Sequence, residues 1–159
     1  MSGEHVLVCV AWPYANGPLH LGHVAGCYLP PDIQTRFERA KGNKVLLVSG
    51  SDEHGTPITV TAETMGIDPQ SVVDKYHALN IQALKNLGCV WEPNVDTRGP
   101  EYGGALFNRT SDKDHHAIVS DNFIKLLDAG LFERKVMQQY YEVRSDGGRF
   151  LPDRYVEGI

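Results

Sequence analysis

The chain has 159 residues, 42% of them hydrophobic, and a formal net charge of -5, enough for one ordinary domain with a buried core. The acidic balance argues against a self-sufficient nucleic-acid binder, which needs a basic face. Cys9, Cys27 and Cys89 are far apart with no C-x-x-C pair, which argues against a disulfide framework or a zinc knuckle, and the absence of a signal region or long apolar run predicts a cytoplasmic protein without a membrane partner.

In chain order, the apolar run His5 to Val10 predicts a strand, followed by a turn built on Asn16-Gly17-Pro18. Leu19 to Ala40 predicts one long helix, stopped by Lys41-Gly42-Asn43 and kinked or interrupted at Pro30-Pro31. The basic residues Arg36, Arg39, Lys41 and Lys44 complement the dipole at its end. Val45 to Val48 predicts a parallel strand buried on both faces, and Ser49 to Pro57 a polar loop at its C-terminal end, where ligands of open α/β sheets bind. Ile58 to Met65 predicts a short helix, and Asp68-Pro69 caps a longer one running to about Leu87.

Glu92 to Ala105, with two prolines and three glycines, predicts an extended loop. Ser111 or Asp112 opens another helix with Ile118, Phe123, Ile124 and Leu127 on one face and Gly130 as its stop. Phe132 to Val143 alternates like a strand before the turn Ser145-Asp146-Gly147-Gly148 and a short final segment. Strands alternating with helices predict an α/β fold with a parallel sheet, and too few strands are present to cover the helices.

The turn after the first strand carries the chemistry. A strand feeding a helix start presents unpaired N–H groups and the positive dipole end to an anion. His20 and His23, three residues apart, share a helical face and can reach one bound phosphate. A bare helix-start pair and a two-histidine metal site are the competing readings, the latter disfavoured by the want of a third ligand of the H-E-x-x-H kind. Asp52, just past the second strand, is placed to pair with a cation or to cap a turn. Trp12 serves equally as core or as pocket wall.

Pro13-Tyr14-Ala15-Asn16-Gly17-Pro18-Leu19-His20-Leu21-Gly22-His23 resembles the extended HIGH signature of class I aminoacyl-tRNA synthetases, with flanks similar to the methionyl-tRNA synthetases, and Val24 closes the segment. Ser51-Asp52-Glu53-His54-Gly55-Thr56-Pro57-Ile58 resembles that family's D-x-H-G-T-P block, and Phe150-Leu151-Pro152-Asp153-Arg154-Tyr155-Val156-Glu157-Gly158 its F-L-P-D-R block. The order and spread of the three blocks make the signal specific. The link from Glu92 to Ala105 is longer and richer in glycine than the family's usual one.

The resemblance implies the first part of a Rossmann-like parallel-sheet nucleotide-binding fold over residues 1–114, with its last helix and the start of an inserted connective domain over 115–159. It implies ATP-dependent activation of methionine and transfer to tRNA(Met) by a longer enzyme, of which this chain is an N-terminal fragment, inactive alone and prone to self-association. ATP with Mg2+ is the implied nucleotide, and Zn2+ is expected only in the part beyond Ile159. His20 and His23 are the implied catalytic pair, with Gly22 joining them at ATP. Ala11, Trp12, Tyr14 and Asp52 are the implied methionine contacts, Asp52 on its ammonium group. Glu53, His54 and Thr56 carry no assigned role. A synthetase for leucine, isoleucine, valine or cysteine, or a non-catalytic nucleotide-binding module, stays open as an alternative.

Overall fold

Strand β2, Lys44–Ser51, is the middle of a three-stranded parallel sheet, and its burial explains why the fold assembles around it. Val45, Leu47, Ser49 and Ser51 all turn to one fully covered face. The opposite face, with Leu46 and Val48, is only partly covered, so the expectation of a strand buried on both faces is corrected: helices cover one side more fully than the other. Strand β1, His5–Cys9, pairs on one side with Val6 opposite Val45, and β3, Ala105–Arg109, on the other with Phe107 opposite Ser49. The computed structural model describes residues 3–89, 105–145 and 147–151.

Parallel neighbours need long crossovers, and helices supply them. Between β1 and β2 the chain runs through α1, Leu21–His23, a π-helical stretch, Val24–Tyr28, and α2, Leu29–Ala40. The single helix expected from Leu19 to Ala40 is thus corrected at its start and middle. Leu19 stays outside because its amide donates to Asn80 Oδ1 at 3.1 Å and its side chain packs on the core. Pro30 and Pro31 lie in the first turn of α2, and the widened turn before them, with the Leu29 amide bonded to Val24 O, lets the helix continue despite two missing donors. Arg36 pairs with Asp32 at 2.8 Å and Lys41 with Glu38 at 3.1 Å, so part of the basic group at the end of α2 is matched internally.

Between β2 and β3 lie α3, Thr56–Met65, and α4, Pro69–Asn86. Asp68 caps α4 by accepting the Ser71 amide at 3.0 Å, as its sequence predicts. Val10, Tyr28, Leu47, Leu84 and Phe107 form one core cluster, and Ala15, Ile58, Ala62, Val72 and Val73 a second beneath the first turn of α3. The expected strand Val45 to Val48 is longer than predicted. Ser49 to Ser51 belong to β2, because Gly50 lets Trp12 and the backbone of Asn108 close over it: a Cβ there would meet the Trp12 ring at 2.6 Å and collide with Asn108 O.

Helix α5, Lys113–Asp128, starts at Asp112, whose carboxylate accepts the Asp114 amide at 2.8 Å. Its expected apolar face exists, but Ile118, Phe123, Ile124 and Leu127 are exposed rather than core. Of the strand expected from Phe132 to Val143, only Tyr140–Glu142 forms, as β4, pairing antiparallel with β5, Arg149–Leu151. A strand needs a partner for its ladder, and β5 offers three residues. Most of the Glu92 to Ala105 stretch, and residues 152–159 of the third block, lie outside the described residues. Ala105 itself begins β3 and is not loop.

Candidate active site

The C-terminal ends of three parallel strands face one edge of the sheet, and the first two conspicuous sequence blocks emerge there. The turn after β1 and the turn after β2 are stitched together beyond the sheet. Tyr14 and Asp52 form an isolated parallel bridge, with the Asp52 amide on Pro13 O at 2.8 Å and the Ala15 amide on Asp52 O at 2.9 Å. On the other side the Thr110 amide reaches Ser51 O at 3.1 Å. Asp52 is therefore held between the exits of β1 and β3.

His20 takes an extended backbone conformation and caps α1. Its Nδ1 accepts the amides of Gly22 at 3.1 Å and His23 at 3.3 Å, while His23 Nδ1 accepts the His20 amide at 3.3 Å. The expectation of unpaired amides at this helix start is corrected: the histidine side chains fill them, as in a reciprocal capping box. The arrangement also decides the tautomers. An Nδ1 that accepts a backbone N–H leaves the neutral ring's proton on Nε2, so each imidazole keeps an N–H donor there. The rings stack with centroids 3.8 Å apart. Burial, and secondarily the charge of His20, holds the His23 pKa below its ordinary value, favouring that neutral donor form.

Gly22 suits this geometry. A Cβ at that position would lie 3.0 Å from His20 Cε1 and 3.1 Å from its Nδ1, against the ring that caps the helix. Trp12 lies between Gly50 and α5, its ring centroid 5.6 Å from that of His115. Tyr14 is 44% exposed at the bridge, leaving its ring open to a ligand. Ala11 is exposed, and its carbonyl accepts the Ser49 hydroxyl at 3.3 Å.

A cavity of about 270 Å³ opens beside Asp52, lined also by His54, Thr110, His115, His116 and Val119. His54 Nε2 lies 3.2 Å from Thr110 O and 3.3 Å from His116 Nε2. The structure thus gathers Trp12, Tyr14 and Asp52 around one edge. His20 and His23 stand on the neighbouring crossover and do not line this hollow. The sequence reading missed the contribution of α5 and of Thr110. The available signal was Arg109-Thr110 at a strand exit followed by the pair His115-His116.

Glu53, without an assigned role in the sequence, is buried and structural in its contacts. Arg109 Nε donates to its two carboxylate oxygens at 2.8 and 2.9 Å, and the Ser111 hydroxyl donates to Oε2. His77, which contacts Ser51 Oγ through Nδ1, lies 3.7 Å from Glu53. Burial, with the nearby Arg109 charge, depresses the His77 pKa. Thr56 begins α3 and its hydroxyl donates to Phe150 O at 3.5 Å, linking the second and third sequence blocks. Among the described residues no group of three or more His, Cys, Asp or Glu is placed to hold a metal, and no helix is long and apolar enough to cross a membrane.

Residues 6–159 match the profile of the family described as tRNA synthetases class I (M). Methionine–tRNA ligase of Thermoplasma volcanium is 47% identical over 158 residues, covering 99% of this chain and 26% of that protein. Methionine–tRNA ligase of Roseiflexus sp. (strain RS-1) is 45% identical over 156 residues, covering 98% of this chain and 24% of the relative. The chain therefore spans about a quarter of the length of these relatives. Among solved structures, Mycobacterium tuberculosis methionyl-tRNA synthetase bound by methionyl-adenylate superposes with a TM-score of 0.65 at 23% identity, covering 80% of this chain and 22% of that one. A LeuRS–tRNA–LeuAMS ternary complex from Agrobacterium radiobacter K84 gives 0.67 at 24% identity, covering 89% and 16%. These two show the shared Rossmann-like fold.

Proposed function

The chain belongs to the class I tRNA synthetase family, and on that premise we propose that it supplies part of the ATP and methionine site of an enzyme that makes methionyl-adenylate and charges tRNA(Met) in the cytoplasm. Residues 1–114 form the first half of the catalytic domain in this reading, and 115–159 its last helix and the start of the connective insertion. In the first step an oxygen of the methionine carboxylate bonds to the α-phosphorus of ATP, brought as its Mg2+ complex, and pyrophosphate leaves with the electrons of the broken P–O bond. Catalysis of such a substitution is chiefly positioning and charge stabilisation.

His20 and His23 donate from Nε2 to the phosphate oxygens, most strongly as charge builds on them, so the contacts raise the rate rather than only the affinity. Gly22 keeps the helix start slim enough for the nucleotide. Asp52 takes the α-ammonium group in a charge-assisted bond, with Trp12 and Tyr14 supplying ring edges suited to a thioether and Ala11 the pocket's start. Zn2+ has no part in these steps and belongs in this reading beyond Ile159. The isolated chain is inactive, and the exposed apolar face of α5 favours its self-association.

The observation that supports this reading best is the Tyr14–Asp52 bridge, which joins the histidine-bearing turn to the acidic turn across adjacent parallel strands. The test is amino-acid-dependent ATP–pyrophosphate exchange by the full-length protein that carries this chain. Methionine is expected to drive exchange well above leucine, isoleucine, valine or cysteine. Preference for another of these would reassign the substrate, and no exchange with any would leave a nucleotide-binding module.

A further inference from the structure

We infer that Glu53 and Arg109 are positioning residues for amino-acid recognition, their buried pair fixing the backbone from which Asp52 projects. The inference rests on the reading of Asp52 as partner of the substrate's ammonium group.

The Glu53 side chain is fully buried, at 0% exposure. A carboxylate in that position demands a cation and hydrogen-bond donors. Arg109 and Ser111 supply them, and the Glu53 amide donates to Thr110 Oγ1 at 2.8 Å. Arg109 is itself held from the far side, with Nη2 2.5 Å from Asp74 Oδ1 on α4.

The peptide neighbours of Asp52 are thus anchored to the exit of β3, Ser51 through its carbonyl on the Thr110 amide and Glu53 through amide and side chain. Asp52's own amide and carbonyl are spent on Pro13 and Ala15 at the exit of β1. No peptide group on either side of Asp52 is left to swing, so these contacts fix the backbone from which its side chain departs. An apolar pair would fill the same space at lower desolvation cost. What the ion pair and its hydrogen bonds add is a directional anchor between the acidic turn and the exit of β3, which apolar contacts would not supply.

The test uses the full-length protein carrying this chain and two inhibitors, methioninol and its des-amino analogue, which differ only in the ammonium group. Glu53→Gln is expected to cut the preference for methioninol by roughly tenfold or more, the scale of a displaced contact group. Ser111→Ala, a milder change that keeps the ion pair, is expected to cut it in the same direction by less. Weakening of both inhibitors alike, or an unchanged preference in both variants, would overturn the inference. Asp52→Asn is measured alongside. If it leaves the preference intact, the reading of Asp52 falls and this inference with it. If it abolishes the preference while Glu53→Gln and Ser111→Ala retain it, the positioning role alone fails.

Discussion

Tyr14 and Asp52 lie side by side in a parallel bridge beyond the ends of β1 and β2. Two turns that are 38 residues apart in sequence thereby share one rigid edge, since Ser49 Oγ also ties β2 to the carbonyl of Ala11 across the same gap. The edge carries the aromatic residues Trp12 and Tyr14 on one turn and the carboxylate of Asp52 on the other. Fixed elements of this kind hold a binding group to the tolerance recognition requires.

Gly50 is the most sensitive point on that edge. Gly50→Ala is expected to destabilise the protein by roughly 1–3 kcal/mol, as overpacking does, because the new methyl meets Trp12 and the Asn108 carbonyl together. Trp12 must move, so the loss should appear both in a urea unfolding curve and as a shift in tryptophan fluorescence before unfolding. An unchanged spectrum would mean that the indole does not lie on Gly50.

His20 has two separable parts in this reading: its Nδ1 caps the helix, which leaves the neutral ring's proton on Nε2 for the proposed donation. His20→Asn keeps a side-chain acceptor for the cap and removes the Nε2 donor. It is expected to retain stability within about 1 kcal/mol while lowering the adenylation rate by roughly 10²–10³. His20→Ala is expected to lose both. Thermal melts and single-turnover adenylate formation on the two variants distinguish the duties.

Acid sensitivity follows from His77. Its folded pKa lies below the ordinary 6.5, chiefly through burial and then through the Arg109 charge. Below 6.5 the unfolded chain therefore binds more protons than the folded one, so the stability this group contributes is complete above that value and is lost as pH falls through the lowered folded pKa. Urea midpoints should decline between pH 7.5 and 5.5, before the carboxylates titrate, and His77→Gln should flatten that decline.

The β4–β5 hairpin is tethered by charge. Glu63 on α3 takes Arg144 at 2.8 Å and Arg149 at 2.9 Å. These pairs are partly exposed, so salt screens them. Glu63→Gln is expected to raise amide hydrogen exchange across Tyr140–Glu142 and Arg149–Leu151, and added salt to do the same in the parent protein but not in the variant.

The parts of the fold written in local chemistry were legible in the sequence. Asp68-Pro69 announces its helix by a cap and a proline, and Val45 to Val48 announces a buried strand by uninterrupted apolar residues. What sequence could not carry was decided by neighbours. Ala105 to Arg109 has two large apolar residues and becomes a strand because β2 offers an open edge. Ser49 to Ser51 look like loop and are strand because Trp12 closes over Gly50. The stripe on α5 marks a face without saying what meets it. At the sheet edge, Tyr14 and Asp52 lie in blocks that stand out in the sequence, whereas Glu53–Arg109 and the histidines of α5 come together only through the crossover.

The most direct measurement is steady-state ATP–pyrophosphate exchange by full-length protein carrying Asp52→Asn or His23→Ala. With both turns serving one reaction, Asp52→Asn raises the KM for methionine by tenfold or more, about 1.4 kcal/mol, while His23→Ala lowers kcat with little change in that KM. Parent-like kinetics in both variants would contradict the account.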